Sequence, residues 1–356
     1  MLDMAYAMLP ALTGLLAFRR VFSGPWEFVY DDNHNFIDIL ELSHKQVKWY
    51  FTEAMVLGVY EPLSLTLKAL FVTFFGWDPT AFHLLAVALH IVNATLAFFL
   101  GQSLLSLLRP VQVRFGAFGS AVGCAIGASL FACHPGAVQT VCWVSCLPYL
   151  FAALFSLMSL ISLLKALRHA PSNSCAGKAA SLCWRVVSMV QAVAAMLCKA
   201  AAIPLVVVLC AVEFAWLSRD CTESSAVRRA SSWCRNMLPC RAVHSMLRQC
   251  VPLLVSAALL WKGTSGYHLE ELVKLSSRET FLRACFLLVL YPGKVADPGH
   301  DFNVMQALPY DGINGVITEC WLCAGLVTAG ALWAARATLF TLDTSPARSA
   351  ASPASG

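Results

Sequence analysis

The stretch Thr80-Ala-Phe-His-Leu-Leu-Ala-Val-Ala-Leu-His-Ile-Val-Asn-Ala-Thr-Leu-Ala-Phe-Phe-Leu-Gly-Gln-Ser-Leu-Leu-Ser-Leu-Leu108 contains no Asp, Glu, Lys or Arg. An α-helix needs about 20 mainly apolar residues to cross the hydrocarbon core of a bilayer, so this stretch predicts a transmembrane helix. Other apolar runs lie at 4–20, 115–133, 137–166, 186–217, 249–263 and 315–341, and a shorter one at 281–292. Together they predict an all-α polytopic membrane protein with roughly 8–10 transmembrane helices.

Composition agrees with a membrane protein. Of 356 residues, 58% are hydrophobic and 13% are charged, whereas an average soluble domain has about 25% charged residues. These values exclude intrinsic disorder. No basic stretch alternates with aromatic residues, so we expect no nucleic-acid partner. The chain has 15 Cys, but they do not have zinc-site spacing, so we expect them to pack as small apolar residues and to bind no metal.

The run 186–217 is interrupted by the polar and helix-breaking residues of Cys198-Lys-Ala-Ala-Ala-Ile-Pro204. Proline removes a backbone donor, and a lysine in an apolar run seeks water. We therefore expect two short helices that meet at one membrane surface near Lys199.

The distribution of basic residues predicts which face is cytoplasmic, because cytoplasmic loops carry an excess of Lys and Arg. Three alternate loops are basic: Arg109 with Arg114; Lys165, Arg168, Lys178 and Arg185; and the six arginines of the loop at about 218–248. The opposite, lumenal face then carries the loop at about 21–58, the His134-Pro135 turn and Lys199. We expect one polytopic domain over 1–342, followed by a low-complexity tail, 343–356.

The first lumenal loop contains the adjacent acids Asp31 and Asp32. Paired carboxylates at a membrane boundary are suited to take a proton from an incoming hydroxyl group. The stretch Lys48–Phe75 alternates polar and apolar residues at helical spacing around Tyr60, which predicts an amphipathic helix in the membrane interface.

Six separated motifs resemble, in the same order, those of a known family. They are Phe28-Val-Tyr-Asp-Asp32, Tyr60-Glu-Pro-Leu-Ser64, Gly76-Trp-Asp-Pro79 with Phe82-His83 and Leu89-His90, Leu130-Phe-Ala-Cys-His-Pro135 with Val141-Cys-Trp-Val-Ser145, Lys199 to Pro204, and Phe281-Leu-Arg283 with Tyr291-Pro292. The chain resembles the mannosyltransferase core of the transmembrane and tetratricopeptide-repeat (TMTC) proteins, and more broadly the protein O-mannosyltransferases of the GT-C glycosyltransferase fold. The resemblance extends from about Phe28 to Ala307.

The chain also departs from the family pattern. Glu61 stands in place of an Arg, Cys146-Leu-Pro-Tyr149 in place of Gly-Arg-Ala-Asp, and Ala200 in place of the Glu after Lys199. No period of about 34 residues, which tetratricopeptide repeats would give, follows the last apolar run. A separate repeat-containing partner is therefore one expectation, and a truncated or divergent relative is another.

The resemblance implies transfer of mannose from dolichyl-phosphate mannose to Ser or Thr of secretory-pathway proteins, in the endoplasmic reticulum membrane and with inversion. It implies a lumenal Asp as general base. We expect Asp32 to be that base and Asp31 to orient the hydroxyl, although the two roles could be exchanged.

The donor's phosphate ester needs cations near the membrane surface. Lys199 is the first choice, because a lysine in an apolar run is costly without a partner. Arg283 and His134 are second choices. A phosphodiester carries a single charge, so we expect neither a metal nor another cofactor.

We expect a substrate cleft lined by Tyr60, Glu61 and His83. Simpler roles remain open, since Asp31-Asp32 could be a solvated turn or helix cap. His134 could simply start a helix, and Lys199 could extend to the interface.

Two other functions remain alternatives. A polytopic transporter would have ionisable residues in mid-membrane. We expect almost none, because Glu213 and Glu319 lie near the ends of apolar runs. A catalytically inactive membrane scaffold would fit the substituted motif residues.

Overall fold

The computed structural model describes residues 2–24, 26–29, 32, 47–52, 60–107, 109–170, 174–223, 249–252, 254–255 and 258–259. All of them belong to one compact unit, Met1–Leu269, and the second unit, Glu270–Gly356, lies outside the described residues. Asp31, Arg283, the apolar runs 281–292 and 315–341, most of the basic loop and the tail are also outside them.

Every regular element in the described part of the chain is helical. The α-helices are α1 Leu2–Ala17, α2 Val47–Thr52, α3 Pro62–Phe75, α4 Pro79–Leu107, α5 Arg109–Cys133, α6 Ala137–Cys142, α7 Leu147–His169, α8 Cys175–Cys198 and α9 Leu205–Glu223. Short 3₁₀ turns lie at Arg19–Phe22, Val144–Cys146 and Ala200–Ala202. Four segments are long and apolar enough to cross a membrane: Pro79–Ser106, Gly116–Cys133, Val144–His169 and Cys175–Cys198. The prediction of an all-α polytopic membrane protein is confirmed.

Local sequence explains several helix boundaries. Gly76, with φ of 68°, ends α3 in a conformation that favours glycine. The Asp78 carboxylate accepts the N–H of Thr80 at 3.0 Å at the start of α4, and the hydroxyl of Ser174 accepts the N–H of Gly177 at 3.1 Å at the start of α8.

Two predicted spans have different limits in the structure. The run 137–166 is divided at Trp143, whose backbone is extended between α6 and the turn before α7. The first half of 186–217 was predicted too short, because α8 begins at Cys175. The prediction that Lys165, Arg168, Lys178 and Arg185 lie in a loop is wrong, since the first two lie within α7 and the last two within α8. The predicted break is present, with α8 ending at Cys198 and α9 beginning at Leu205.

The predicted interfacial helix over 48–75 is divided as well. The described part of this stretch contains α2 and α3. Pro62 occupies the first turn of α3, where its missing N–H costs no helical hydrogen bond. At about 1.5 Å per residue, the 14 residues of α3 are too short to cross a core about 30 Å thick.

Successive long helices form antiparallel pairs, α4 with α5 and α7 with α8, and α1 packs against α4 and α5. The α7–α8 contact is polar as well as apolar: Ser159 donates to the carbonyl of Ser188 and Ser188 to the carbonyl of Ser159, both at 2.8 Å. Such bonds between small residues hold membrane helices close together. Asn93 of α4 is buried and donates to the carbonyl of Leu150 in α7 at 3.0 Å.

This alternation brings three connecting segments to the same end of the helices: the described parts of 18–78, together with 134–146 and 199–204. We call it the long-loop end. The opposite, short-loop end contains the α4–α5 and α7–α8 connections, where Arg168 donates to the hydroxyl of Ser106. Lys165 lies nearby, 4.4 Å from the ring centroid of Trp184.

Candidate functional site

Asp32 is completely buried at the long-loop end. Its Oδ1 accepts the backbone N–H of Ser145 at 2.8 Å and the hydroxyl of Ser145 at 2.5 Å. Its Oδ2 accepts the N–H of Val29 at 3.0 Å. The carboxylate thus joins the first connecting segment to the second, across 113 residues of sequence. The solvated-turn interpretation does not fit this burial, because a buried charge needs such partners.

Glu61 and Lys199 form an ion pair that joins the first connecting segment to the third, across 138 residues. Glu61 immediately precedes α3 and is 5% exposed. Lys199 follows α8, and 18% of its side chain is exposed. The ammonium group also lies 4.7 Å from the ring centroid of Tyr149, which is within range of a cation–π interaction. Lys199 is therefore more than an interfacial lysine extended into water.

Lys68 is a fourth charged residue at this end, on α3 and 5% exposed. Burial lowers the pKa of Lys68 to about 8, and the charge of Glu61 opposes that shift most strongly. The charges of Lys199 and Asp32 act on it as well. We call Asp32, Glu61, Lys68 and Lys199 the charged cluster. Its two acids and two bases balance each other.

Sequence reasoning did not select Lys68. A signal was present, because a single lysine inside the apolar run Leu63–Phe75 is costly unless a partner balances its charge. The charge of Glu61, which immediately precedes α3, acts on Lys68 from seven residues earlier in the sequence.

Two of the predicted cleft residues lie beside the charged cluster. His83, in the first turns of α4, is 2% exposed and its ring centroid lies 4.7 Å from that of Trp26. The charge of Asp32 acts on its imidazole. Tyr60 donates its hydroxyl to the carbonyl of Phe51 at 2.7 Å, and burial raises the pKa of Tyr60, so the phenol stays protonated at neutral pH.

The other predicted residues are placed differently. His134 accepts the N–H of Gly136 at 3.0 Å through Nδ1, in the turn that precedes α6. That contact matches the helix-start alternative. Asp31 and Arg283 lie outside the described residues. Within the described ranges, no three His, Cys, Asp or Glu side chains are grouped closely enough to hold a metal ion.

A second ionic site lies deeper in the helices. Arg185 of α8 donates to Glu213 of α9 at 2.6 Å, and Gln249 donates to the other oxygen of Glu213 at 3.4 Å. Glu213 is completely buried. Because helices rise about 1.5 Å per residue, Glu213 lies about 12 Å from the start of α9 at Leu205. The apolar part of this helix ends at Phe214, so Glu213 lies near the end of the apolar run, as expected, although its side chain is buried against α8.

Comparison of the chain with protein-family models, with curated proteins and with solved structures finds no match. The fold class consequently follows from the chain's own helices. The charged cluster and its surroundings are the basis for the proposed function.

Proposed function

We propose that the chain is a membrane glycosyltransferase that moves mannose from dolichyl-phosphate mannose to Ser or Thr hydroxyl groups of secretory-pathway proteins. One observation carries this proposal. Asp32, Glu61, Ser145 and Lys199 come from four separate motifs of the TMTC resemblance, and at the long-loop end Asp32 contacts Ser145 and Glu61 contacts Lys199. A site assembled from distant motifs at one membrane boundary is what a transferase with a lipid-linked donor needs.

Asp32 supplies the base in this proposal. The acceptor oxygen forms a bond to the anomeric carbon, the bond from that carbon to the phosphate oxygen breaks, and configuration is inverted. The hydroxyl proton moves to the carboxylate. Each carboxylate oxygen can accept about two hydrogen bonds, and Oδ2 accepts one from Val29 among the described contacts. That oxygen is therefore the better placed to receive the proton, with Asp31 remaining a predicted orienting residue.

Lys199 supplies the charge that stabilises the leaving dolichyl phosphate. It is the most exposed member of the charged cluster, and so the one that a lipid headgroup can reach first. Arg283 and His134 remain predicted second contributors.

The departures from the family pattern support a rearranged site in preference to a lost one. Compared with the TMTC pattern, the chain lacks carboxylates at Tyr149 and Ala200 and gains one at Glu61. Glu61 is the residue that pairs with Lys199, while the Tyr149 ring lies under the same ammonium group. A largely buried lysine needs a balancing charge, and in this chain Glu61 supplies it for Lys199.

The proposed location is the endoplasmic reticulum membrane, with the long-loop end in the lumen. Lys165, Arg168 and Lys178 lie toward the short-loop end, which agrees with a cytoplasmic position there. A protein acceptor and a separate repeat-containing partner belong to the same proposal.

The test is mannose transfer from dolichyl-phosphate mannose in microsomes that contain the full chain. We expect Asp32→Asn to lower the rate by at least about 100-fold, a typical contribution of a general base. Asp31→Asn, measured in parallel, decides between the two acids. Glu27→Gln is a matched control, because it removes one carboxylate from an exposed position in the same segment. Equal transfer by Asp32→Asn and the unsubstituted chain would exclude the proposed base, and no transfer by any form would favour an inactive scaffold.

Transport is a second candidate, favoured by the Arg185–Glu213 pair inside the helices. Intramembrane ionisable residues often mark ion or substrate pathways. Proton-coupled uptake into vesicles that contain the purified chain, lost in Glu213→Gln and kept in Asp32→Asn, would favour transport over transfer.

A further inference from the structure

Glu61 occupies the position on Lys199 that an anionic ligand would need, and the charge of the same carboxylate also acts on Lys68, which is buried on the adjoining helix α3. We propose that Glu61 is a displaceable internal anion in a phosphate-binding site. An incoming phosphate takes Lys199, and Lys68 then keeps Glu61 neutralised. This inference rests on the proposed function for the identity of the ligand, a lipid-linked phosphate, but not for the exchange itself.

Exposure distinguishes the two lysines. The Lys199 side chain is 18% exposed and Tyr149, beneath its ammonium group, is 44% exposed. Lys68 is 5% exposed. Lys199 is therefore the cation that an external phosphate meets, whereas Lys68 can act only on groups already inside the protein.

Glu61 can change partner without a change in the fold. Its backbone is fixed because its carbonyl accepts the N–H of Leu65 at 3.0 Å and Pro62 restricts the first turn of α3. The side chain does not cap the helix, so rotation about its own bonds breaks no helical contact. Among the charges that act on Lys68, that of Glu61 is the strongest. When the carboxylate leaves Lys199, the charge of Lys68 therefore still acts on it.

Exchange keeps Glu61 paired when phosphate binds. A bound phosphodiester brings the neutral charged cluster to a net charge of −1; Lys199 then pairs with the phosphate and Lys68 with Glu61, while Asp32 keeps the hydrogen bonds from Val29 and Ser145. If Lys68 were absent, Glu61 would have to remain on Lys199 or become an unpaired buried anion, which is strongly unfavourable. Lys68 is therefore a positioning residue for Glu61, and only Lys199 contacts the phosphate.

The experiment measures equilibrium binding of radiolabelled inorganic phosphate and of a short isoprenyl phosphate to the purified full chain in detergent. The two probes share the phosphate and differ in the lipid, so a preference for the second assigns the site to a lipid headgroup. We expect Glu61→Gln to bind either probe about tenfold more tightly and Lys68→Met about tenfold more weakly, a modest effect for close charge pairs. Glu27→Gln and Lys48→Met are matched controls at exposed positions and should bind like the unsubstituted chain.

The double variant, Glu61→Gln with Lys68→Met, gives the decisive comparison. Once Glu61 carries no charge, loss of Lys68 should no longer weaken binding, so the double variant should match Glu61→Gln. Equal weakening by Lys68→Met in both backgrounds would make Lys68 a direct ligand and overturn the inference. Unchanged or weaker binding by Glu61→Gln would overturn it as well.

Two further arms keep the result interpretable. Lys68→Gln replaces Lys68→Met if the latter fails to elute as a monodisperse species, since an amide retains polar contacts at the buried position. Mannose transfer is measured on the same preparations. If Glu61→Gln binds phosphate more tightly but no form of the chain transfers mannose, the proposed function alone is contradicted. If the chain transfers mannose but the Glu61→Gln substitution does not change phosphate binding, the exchange alone is contradicted.

Discussion

Ser145 donates both its backbone N–H and its hydroxyl group to Oδ1 of Asp32, at 2.8 and 2.5 Å. The two bonds tie the α6–α7 connection to the first connecting segment at the point where the proposed base lies. We expect Ser145→Ala to lower the free energy of unfolding by about 1.5–3 kcal/mol, the usual value of a hydrogen bond to a charged group. Thermal unfolding of the chain in detergent measures this.

The matched control for that substitution is Ser23→Ala. The Ser23 hydroxyl donates to the carbonyl of Arg20 at 3.1 Å in an exposed 3₁₀ turn, so its loss should change stability by less than about 0.5 kcal/mol. Equal midpoints for Ser145→Ala and Ser23→Ala would show that the hydroxyl of Ser145 does not stabilise Asp32.

Glu61, which pairs with Lys199 in place of the Glu that follows the lysine in the TMTC pattern, gives a second prediction. We expect Glu61→Ala to destabilise the chain by about 3 kcal/mol or less. The substitution leaves Lys199 as a largely buried cation without its partner, but part of the lysine side chain still reaches solvent. Addition of Ala200→Glu should restore part of the loss. That carboxylate would lie one residue from Lys199, where the TMTC pattern has its Glu. Unfolding midpoints of the single and double variants measure the recovery.

Ala200→Gln controls for side-chain size in this experiment. Ala200 is exposed in the turn Ala200–Ala202, so a larger side chain has room there. If Ala200→Gln and Ala200→Glu stabilise the Glu61→Ala chain equally, a restored charge is not the cause.

Hydropathy accounted for most of the fold. Uninterrupted apolar runs predicted the long helices, and Lys199 with Pro204 predicted the break between α8 and α9. The limits of α8 could not be predicted in this way, because Lys178 and Arg185 made its first half resemble a loop. Arg185 is tolerated inside the helix because Glu213 pairs with it, a contact that only the tertiary structure supplies, and Lys178 is exposed near the start of the helix.

The candidate site could likewise be predicted from the sequence only in part. Asp32 and Lys199 could be selected from the sequence because acids in a loop and a lysine in an apolar run are conspicuous. The residues with which they pair could not be predicted. Ser145 and Glu61 lie 113 and 138 residues away along the chain, so their contacts depend on how the helices pack. Lys68 was missed for a related reason, since its role depends on Glu61 being turned inward.

The pKa of Lys68 predicts a pH dependence of phosphate binding. Burial lowers that pKa to about 8; Glu61, Asp32 and Cys146 oppose the shift, and Lys199 adds to it. Lys68 is therefore charged below pH about 8 and loses its charge as the pH rises through that value. Neutral Lys68 cannot hold Glu61, which then competes for Lys199. We expect phosphate binding to weaken above pH about 8.

Lys68→Arg provides the comparison for this pH profile. Arginine stays protonated throughout the accessible range, so phosphate binding by that variant should persist above the pH at which binding by the unsubstituted chain weakens. If binding by the Lys68→Arg variant and by the unsubstituted chain falls at the same pH, the decrease belongs to another group and the role of Lys68 is contradicted.

Cysteine labelling tests the proposed orientation in the membrane. Cys133, at the long-loop end of α5, and Cys175, at the short-loop end of α8, are both exposed. We expect a membrane-impermeant maleimide to modify Cys175 and not Cys133 in intact microsomes, and both after permeabilisation, as read by peptide mass spectrometry. Modification of Cys133 alone in intact microsomes would reverse the orientation and place Asp32 in the cytosol.

The Arg185–Glu213 pair predicts that the effects of substituting the two residues on the free energy of unfolding are strongly coupled. Removing one partner leaves a buried charge, so Arg185→Met and Glu213→Leu should each destabilise the chain by about 3–5 kcal/mol, whereas the two together should cost much less. Thermal unfolding of the four chains measures the coupling. Lys165→Met, which removes an exposed cation near the short-loop end, is the matched control. Additive losses would show that the pair contributes no mutual stabilisation, and the ionisable residues inside the helices would then need a functional explanation such as transport.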